Sequence, residues 1–149
     1  MIKEIADIFG TFHDGGIESW EGNYSELNLK IDCIYLAQMI NPDYEYFFVT
    51  LKGIELLEFH PWEQPIRKKL SDVLSPELEI AYSKIEDNTV KVSCHQYDND
   101  LGDAGGELWI KAKSISVQNE DKISISPEGL YELNRKYWNK SRSKDSDLT

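Results

Sequence analysis

A histidine and a carboxylate that adjoin in one turn, His13 and Asp14, are the first residues able to do chemistry. Gly15 and Gly16 follow them, and paired glycines adopt backbone angles that other residues resist. An imidazole beside a carboxylate can transfer protons or bind a ligand when a further group meets them. Asp in such a turn also accepts backbone N–H bonds, so a structural role is the favoured interpretation of the pair.

A pocket around this pair would need a further side chain, and His95 is the candidate. His60 ends a long apolar stretch, and either histidine could join His13 in a zinc site because imidazole is a zinc ligand. Nothing in the sequence brings these distant segments together. Packing is therefore the favoured role of each histidine, and we predict no metal and no cofactor.

Three carboxylates in one loop, Asp98, Asp100 and Asp103, are candidate ligands for a hard cation such as calcium. Their spacing departs from an EF-hand loop. Counted from Asp98, glycine falls at position five instead of six, and Trp109 takes position twelve, where a bidentate Glu is required. A solvated acidic loop is the favoured interpretation.

Aromatic residues are numerous, with four Trp and eight Tyr, more than a core of this size needs. Such side chains are enriched at interfaces because they combine a large contact area with a polar tip. We select Trp20 and Trp62 as candidate binding residues, although core packing is the default for each. No Ser, Cys or Lys stands in a recognisable nucleophile motif, so a protein without enzymatic activity is favoured.

The charge balance is strongly acidic, with 16 Lys and Arg residues against 27 Asp and Glu residues and a formal net charge of -11. A chain with this balance repels phosphate backbones, so nucleic acid is a poor partner. An acidic surface that carries aromatic residues suits a basic protein partner, whose association it would steer.

Cellular location follows from the cysteines and the apolar runs. Cys33 and Cys94 lie in alternating apolar stretches and are predicted to be buried, reduced thiols. A disulfide is the competing interpretation, but cytosolic chains rarely keep one. The amino-terminal stretch contains acids, unlike a signal peptide, and no run approaches the roughly 20 apolar residues of a membrane span. We expect a cytoplasmic protein that does not contact a membrane.

Hydrophobic periodicity divides the chain into elements. Spacings of three and four predict a helix over 2–9, ended by Gly10. Period-two alternation predicts the strands, and the longest of them has a bulge at Gly53 and apolar residues on both faces, so each face should be covered. The predicted strands are 17–21, 25–36, 44–59, 78–82, 90–95, 107–117 and 122–125.

A second helix is predicted over 63–76, and a third begins at Pro127 with Ser126 as its cap. No linker, repeat or phosphate-binding glycine fingerprint interrupts the chain. We therefore predict one α+β domain over 1–140, with about seven mostly antiparallel strands and short amino-terminal, middle and carboxy-terminal helices. The charged, Ser-rich tail 141–149 is predicted to be disordered.

One motif carries a resemblance. The run Phe12-His13-Asp14-Gly15-Gly16-Ile17, followed by the alternating strand Leu27-Asn28-Leu29-Lys30-Ile31, resembles small bacterial proteins with a Phe-His-Asp turn and a following hairpin. Some of those are immunity proteins encoded beside polymorphic toxins, and others are uncharacterised. The resemblance covers the first third of the chain. It implies an intracellular α+β protein that acts by binding, with a structural turn and no assigned catalytic residue.

We therefore expect a non-enzymatic intracellular binding protein, most concretely an immunity-type inhibitor of a basic toxin domain. The alternative is a small-ligand-binding protein or hydrolase with a pocket around His13, Asp14 and His95, which requires those side chains to meet. A structural subunit that docks through its aromatic residues is a third hypothesis.

Overall fold

Strand pairing organises the fold, which we describe from a computed structural model covering residues 2–62, 68–69, 78–96 and 105–147. The helices in these residues are α1 (Ile2–Thr11), α2 (Ile34–Ile40) and α3 (Pro127–Asp147). The strands are β1 (Gly16–Gly22), β2 (Glu26–Asp32), β3 (Tyr46–Pro61), β4 (Lys68–Lys69), β5 (Leu78–Glu86), β6 (Thr89–Gln96), β7 (Gly105–Gln118) and β8 (Ser124–Ile125). All the strand pairs are antiparallel, which confirms the predicted α+β class.

The sheet closes on itself through its longest strand. Its order is β4-β3-β2-β1-β5-β6-β7-β8, and β3 also pairs with β7 along most of its length. Strands β1, β2, β3, β7, β6 and β5 thus form a continuous ring of pairings. Gly53 has a φ of 61°, and the β3–β7 register shifts between Ile54 and Leu56, so the irregularity lies just beyond the position predicted for the bulge.

One side of each ring strand supplies the core. In β2 and β3 the buried residues alternate with more exposed ones, which is the pattern of a sheet with one covered face, whereas β6 is buried on both faces. Apolar side chains of the three helices complete this core, and Phe12 of the turn after α1 packs on Phe47 with ring centroids 5.1 Å apart. Helix α1 lies against β5, β6 and α3, and α2 also contacts α3.

Helix α2 replaces the end of a predicted strand. The alternation over 25–36 predicted extended backbone through Tyr35, but β2 ends at Asp32 and the chain turns helical at Ile34. Asp32 is the last residue of β2 that pairs with β3, opposite Tyr46. The prediction is wrong here because the ladder, which alternation alone does not locate, stops at this residue.

The polar face of β6 also differs from expectation. Period-two alternation over 90–95 places Lys91 and Ser93 on the face opposite the apolar residues of this strand and so predicts that they are exposed, yet both are buried. The Lys91 ammonium lies 2.7 Å from a Glu86 carboxylate oxygen and 4.1 Å from the centre of the Trp109 ring. Neighbouring strands therefore cover this face with an ion pair and an aromatic ring, which satisfies the buried charge.

Helix ends depart from prediction at two further places. Gly10 does not end α1, which continues to Thr11. At the other end of the chain, α3 continues to Asp147, into the stretch predicted as a disordered tail, where no proline or glycine interrupts it. Its start is as predicted, with Ser126 Oγ accepting the Gly129 N–H at 3.0 Å.

Most of the helix predicted over 63–76 lies outside the described residues. The exception is Lys68–Lys69, which pairs as β4 with Glu58 and Phe59 instead of turning helically, so the prediction is wrong for these two residues. The predicted loop 98–106 is likewise undescribed up to residue 104, and β7 begins at Gly105.

Candidate functional site

Backbone hydrogen bonds fix the Phe-His-Asp turn against two strands. The Asp14 N–H donates to the Ile80 carbonyl at 2.8 Å, and the Ile80 N–H donates back to Gly15 at 2.8 Å. The Gly16 N–H donates to Asp32 Oδ1 at 2.8 Å. Asp14 itself has a φ of 66°, a left-handed conformation that Asp tolerates, and its side chain is exposed. These hydrogen bonds therefore give the turn a structural role.

His13 lies in an aromatic cluster between α2 and α3. Its ring stacks on Trp138 with centroids 5.5 Å apart, and the Tyr35 ring meets it edge-on at 6.0 Å. The Tyr35 hydroxyl donates its one proton to the His13 carbonyl oxygen at 2.7 Å, so any bond across the 3.5 Å to Nδ1 is donated by the histidine. Tyr137 packs on Tyr35 at 4.7 Å. Through these contacts, the His13 imidazole packs against both α2 and α3.

His95 lies elsewhere, in a pair formed with Trp62, and His60 and Trp109 form a second pair. The Trp62 ring meets His95 edge-on with centroids 5.6 Å apart, so two of the selected residues do come together. His60 stacks on Trp109 at 3.7 Å, and its Nε2 lies 3.4 Å from a Glu58 carboxylate oxygen.

No contact described above joins His95 to His13 and Asp14 in one pocket. Among the described residues, the His13 ring contacts Tyr35 and Trp138, whereas the His95 ring contacts Trp62. Across the part of the chain that the structure describes, no three His, Cys, Asp or Glu side chains are grouped to hold a metal ion. The calcium candidates Asp98, Asp100 and Asp103 lie outside that part.

Trp20 has a packing role. It stands opposite Leu29 in the β1–β2 register and is partly buried against the core. Its indole N–H is buried and has no hydrogen-bond partner in the described structure. The assignment of Trp20 to a binding surface is thus not supported by its surroundings, whereas Trp62 is 48% exposed.

Carboxylates from separate segments gather around Tyr46, on the outer side of the sheet, and around the hydroxyl of the buried Tyr44, and we call this surface the acidic face. Its acids are Glu18, Asp32, Glu45, Glu120 and Asp121. Tyr46 stands opposite Asp32 in the β2–β3 register, on the side of β3 away from the buried Phe47. Tyr44 lies just before this strand. The face therefore joins β1, β2, β3 and the turn between β7 and β8.

The turn between β7 and β8 is held rigidly onto this face. The Tyr44 hydroxyl donates to the Asp121 carboxylate, and the Glu45 N–H donates to Glu120 Oε1 at 3.3 Å. Within the turn, Asn119 Oδ1 accepts the N–H groups of Asp121 and Ile123 at 2.9 and 3.1 Å. The two acids of the turn are thus fixed in place beside β3.

Two effects show the negative potential of the acidic face. The Glu18 carboxylate, followed by burial and Glu45, raises the pKa of Tyr46 above its ordinary value. The hydrogen bond to Asp121, followed by burial, raises the pKa of Tyr44. Both shifts arise because a negative tyrosinate is disfavoured beside carboxylates.

Lysines on this face are already engaged with aromatic rings. The Lys30 ammonium lies 3.9 Å from the centre of the Tyr46 ring, and the Lys122 ammonium lies 4.9 Å from that of Phe48. Five carboxylates thus share the acidic face with these two ammonium groups. The remaining negative charge is available to a cation from outside.

Sequence reasoning missed the acidic face, although it used the overall charge. The five acids are spread from Glu18 to Asp121, and only strand register and the turn after β7 bring them together. One sign of the acidic face lay in Asp32, an acid at the end of β2. The strand register places it opposite Tyr46, an aromatic residue at the start of β3.

Comparison of this chain with protein-family models, with curated proteins and with solved structures finds no match. Among the helices of the described residues, none is both long and apolar enough to cross a membrane. The resemblance to Phe-His-Asp-turn proteins stays a prediction.

Proposed function

We propose that this chain is a binding protein without enzymatic activity whose acidic face receives a basic protein partner. The observation that carries the proposal is the gathering of five carboxylates from four segments around Tyr44 and Tyr46. Like charges gathered on one surface repel one another, and a cationic partner relieves the repulsion. Complementary charge also raises the rate at which such a partner is found.

Tyr46 strengthens this interpretation because its ring supplies contact area beside the charges. Tyr46 is half-buried, so little side-chain freedom is lost when a partner covers it. The net charge of -11 extends the same preference over the whole surface and disfavours nucleic acid.

The most concrete form of the proposal is an immunity-type inhibitor that occludes a basic toxin domain in the cytoplasm. The Phe-His-Asp resemblance supports this form, and the two buried free thiols favour a reducing compartment. The alternative pocket around His13 and Asp14 lacks comparable support, because the His13 ring is already packed between Tyr35 and Trp138.

Affinity capture from native cell lysate tests the proposal. Tagged protein is compared with an acidic-face variant, Glu18→Gln with Glu45→Gln and Glu120→Gln, at low and high salt, and captured proteins are identified by mass spectrometry. We expect a basic partner that is retained at low salt and is lost both at high salt and with the variant.

A matched control keeps the net charge change equal but moves it away from the acidic face. It carries Glu26→Gln, Glu55→Gln and Asp87→Asn, which are exposed positions on other parts of the surface. The control should capture the same partner as the wild type. Loss of the partner from both variants alike, or an acidic partner, would overturn the proposal.

A further inference from the structure

A groove separates α1 from the first two turns of α3. Its volume is about 1080 Å³, and Ser83 of β5 also lines it. Small-molecule pockets have volumes of roughly 300–1000 Å³, and this groove is open along rims formed by exposed residues such as Asp7 and Glu128. Its size and openness suit a segment of polypeptide better than an enclosed small ligand.

Apolar groups line part of the groove. Ala6, Ile8 and Leu130 are buried residues whose surfaces contribute to it. Tyr131 also lines it, with 61% of its surface exposed. An exposed aromatic ring beside apolar groups is a typical anchor point for a partner side chain.

The charged residues that line the groove indicate which kind of occupant it can bind. Among the described residues, four carboxylates line the groove, from Glu4, Asp7, Glu128 and Glu132, and Lys3 is the one lining cation. Lys3 lies 3.9 Å from Asp7, and Glu132 is bound by Arg135 at 2.8 Å. These pairs are exposed and weak.

The two remaining acids that line the groove, Glu4 and Glu128, each lie near the start of a helix. Glu4 lies in the first turn of α1 and Glu128 in the first turn of α3, and neither makes an ion pair within the described residues. The positive ends of both helix dipoles favour their charged forms. They give the groove two unpaired negative charges facing a cationic occupant.

We infer that this groove binds an amphipathic helix of another protein, one that presents lysine or arginine beside an apolar stripe. Helix α1 is ten residues long, about 15 Å, which sets the length of contact at about two to three turns of a docked helix. Apolar anchors on the occupant would meet the exposed Tyr131 ring above the buried floor of the groove, while its cations would meet Glu4 and Glu128. The inference shares with the proposed function the expectation of a basic partner, but it uses none of the residues of the acidic face.

Titration with a defined probe tests the groove. The probe is a synthetic peptide of about 14 residues, roughly four helical turns, made only of Leu and Lys in an amphipathic helical pattern. Its binding is followed by amide chemical shifts of ¹⁵N-labelled protein. We expect saturable shifts concentrated in α1 and in residues 127–134. A Leu and Glu peptide of the same pattern should cause none.

Substitutions identify the charges involved. Glu4→Gln with Glu128→Gln should raise the Kd of the Leu and Lys peptide about fivefold, the combined effect of two exposed ion pairs. The control pair Glu26→Gln with Glu55→Gln has the same change of net charge and should alter the Kd less than about twofold. Circular dichroism melts confirm that each variant is folded.

Two results would overturn the inference. One is peptide-induced shifts that lie on the acidic face or spread over the whole surface. The other is equal weakening by the groove variant and the control. Either result leaves the proposed function standing if the acidic-face variant still loses its captured partner, so failure of the groove and failure of the acidic face are distinguishable.

Discussion

At the scale of single residues, burial decides what the two cysteines can do. Cys33 lies between β2 and α2, and Cys94 points into the core from β6. Burial raises the pKa of each thiol to about 12. Since the thiolate is the reactive form, these side chains are core groups and not nucleophiles.

Thiol labelling with Ellman's reagent at pH 8 tests this assignment. We expect no reaction on the native protein, since the thiolate fraction is about 1 in 10,000 at four pH units below the pKa. Both thiols should react promptly in urea. Rapid labelling of either cysteine in the native protein would contradict the assignment.

The same pKa shifts predict a direction for stability against pH. The folded pKa, about 12, lies above the ordinary value of 9.0, so neutral thiols favour the folded state fully below pH 9. That contribution is lost as the pH rises from 9 toward 12, because the unfolded chain then ionises.

At the scale of elements, close approach of β3 to β7 depends on Gly106. A Cβ atom at this position would lie 2.4 Å from the His60 carbonyl oxygen and 2.8 Å from Pro61 Cα. Both are backbone atoms, so the strand itself would have to move. Gly106 also pairs with Cys94 of β6, which ties three strands of the closed ring together at this point.

Gly106→Ala should therefore lower the free energy of unfolding by about 2–4 kcal/mol, through overpacking of backbone. Urea unfolding followed by tryptophan fluorescence measures the loss. Ser116→Ala is the control, an exposed position in the same strand whose effect should stay within about 0.5 kcal/mol. Equal effects of the two substitutions would contradict the close approach.

Local sequence patterns predicted those features that neighbouring residues determine, such as turns and helix caps. Asp, Asn and Gly are typical turn residues, and Asp87 and Asn88, between the predicted strands 78–82 and 90–95, both have positive φ as a two-residue hairpin requires. Ser126 caps α3 as predicted. Helix α2 was missed because Cys33 makes no side-chain cap bond, and no glycine or proline separates the helix from β2. Its one sign was the adjacent pair Leu36 and Ala37, both buried, which an alternating strand does not allow.

The candidate site was less predictable than the elements for a physical reason. Closure of the sheet depends on pairing β3 with β7, whose residues are about 60 positions apart, and alternation carries no information on partners. The acidic face depends on that closure, because Glu120 and Asp121 follow β7 and Glu45 precedes β3. His13 was likewise placed only by α3, which brings Trp138 back to the first turn of the chain.

At the scale of the whole molecule, charge and shape together support a binding role. The closed sheet leaves its outward side chains free to form surfaces, and two of these surfaces are acidic and carry tyrosine. They lie on different elements, the acidic face on β1 to β3 and the groove on α1 and α3. A basic partner that contacts both would gain affinity from two moderate surfaces.

The most direct test of the central claim is the salt dependence of the dissociation constant for the captured basic partner, measured by calorimetry at about 50 and 300 mM salt. For the wild type and the Glu26→Gln, Glu55→Gln, Asp87→Asn control, we expect Kd to rise about tenfold over this range, because screening weakens attraction to the acidic face. For the Glu18→Gln, Glu45→Gln, Glu120→Gln variant, Kd should be higher at low salt and rise much less. The same salt dependence for all three proteins would contradict the claim that the acidic face receives the partner.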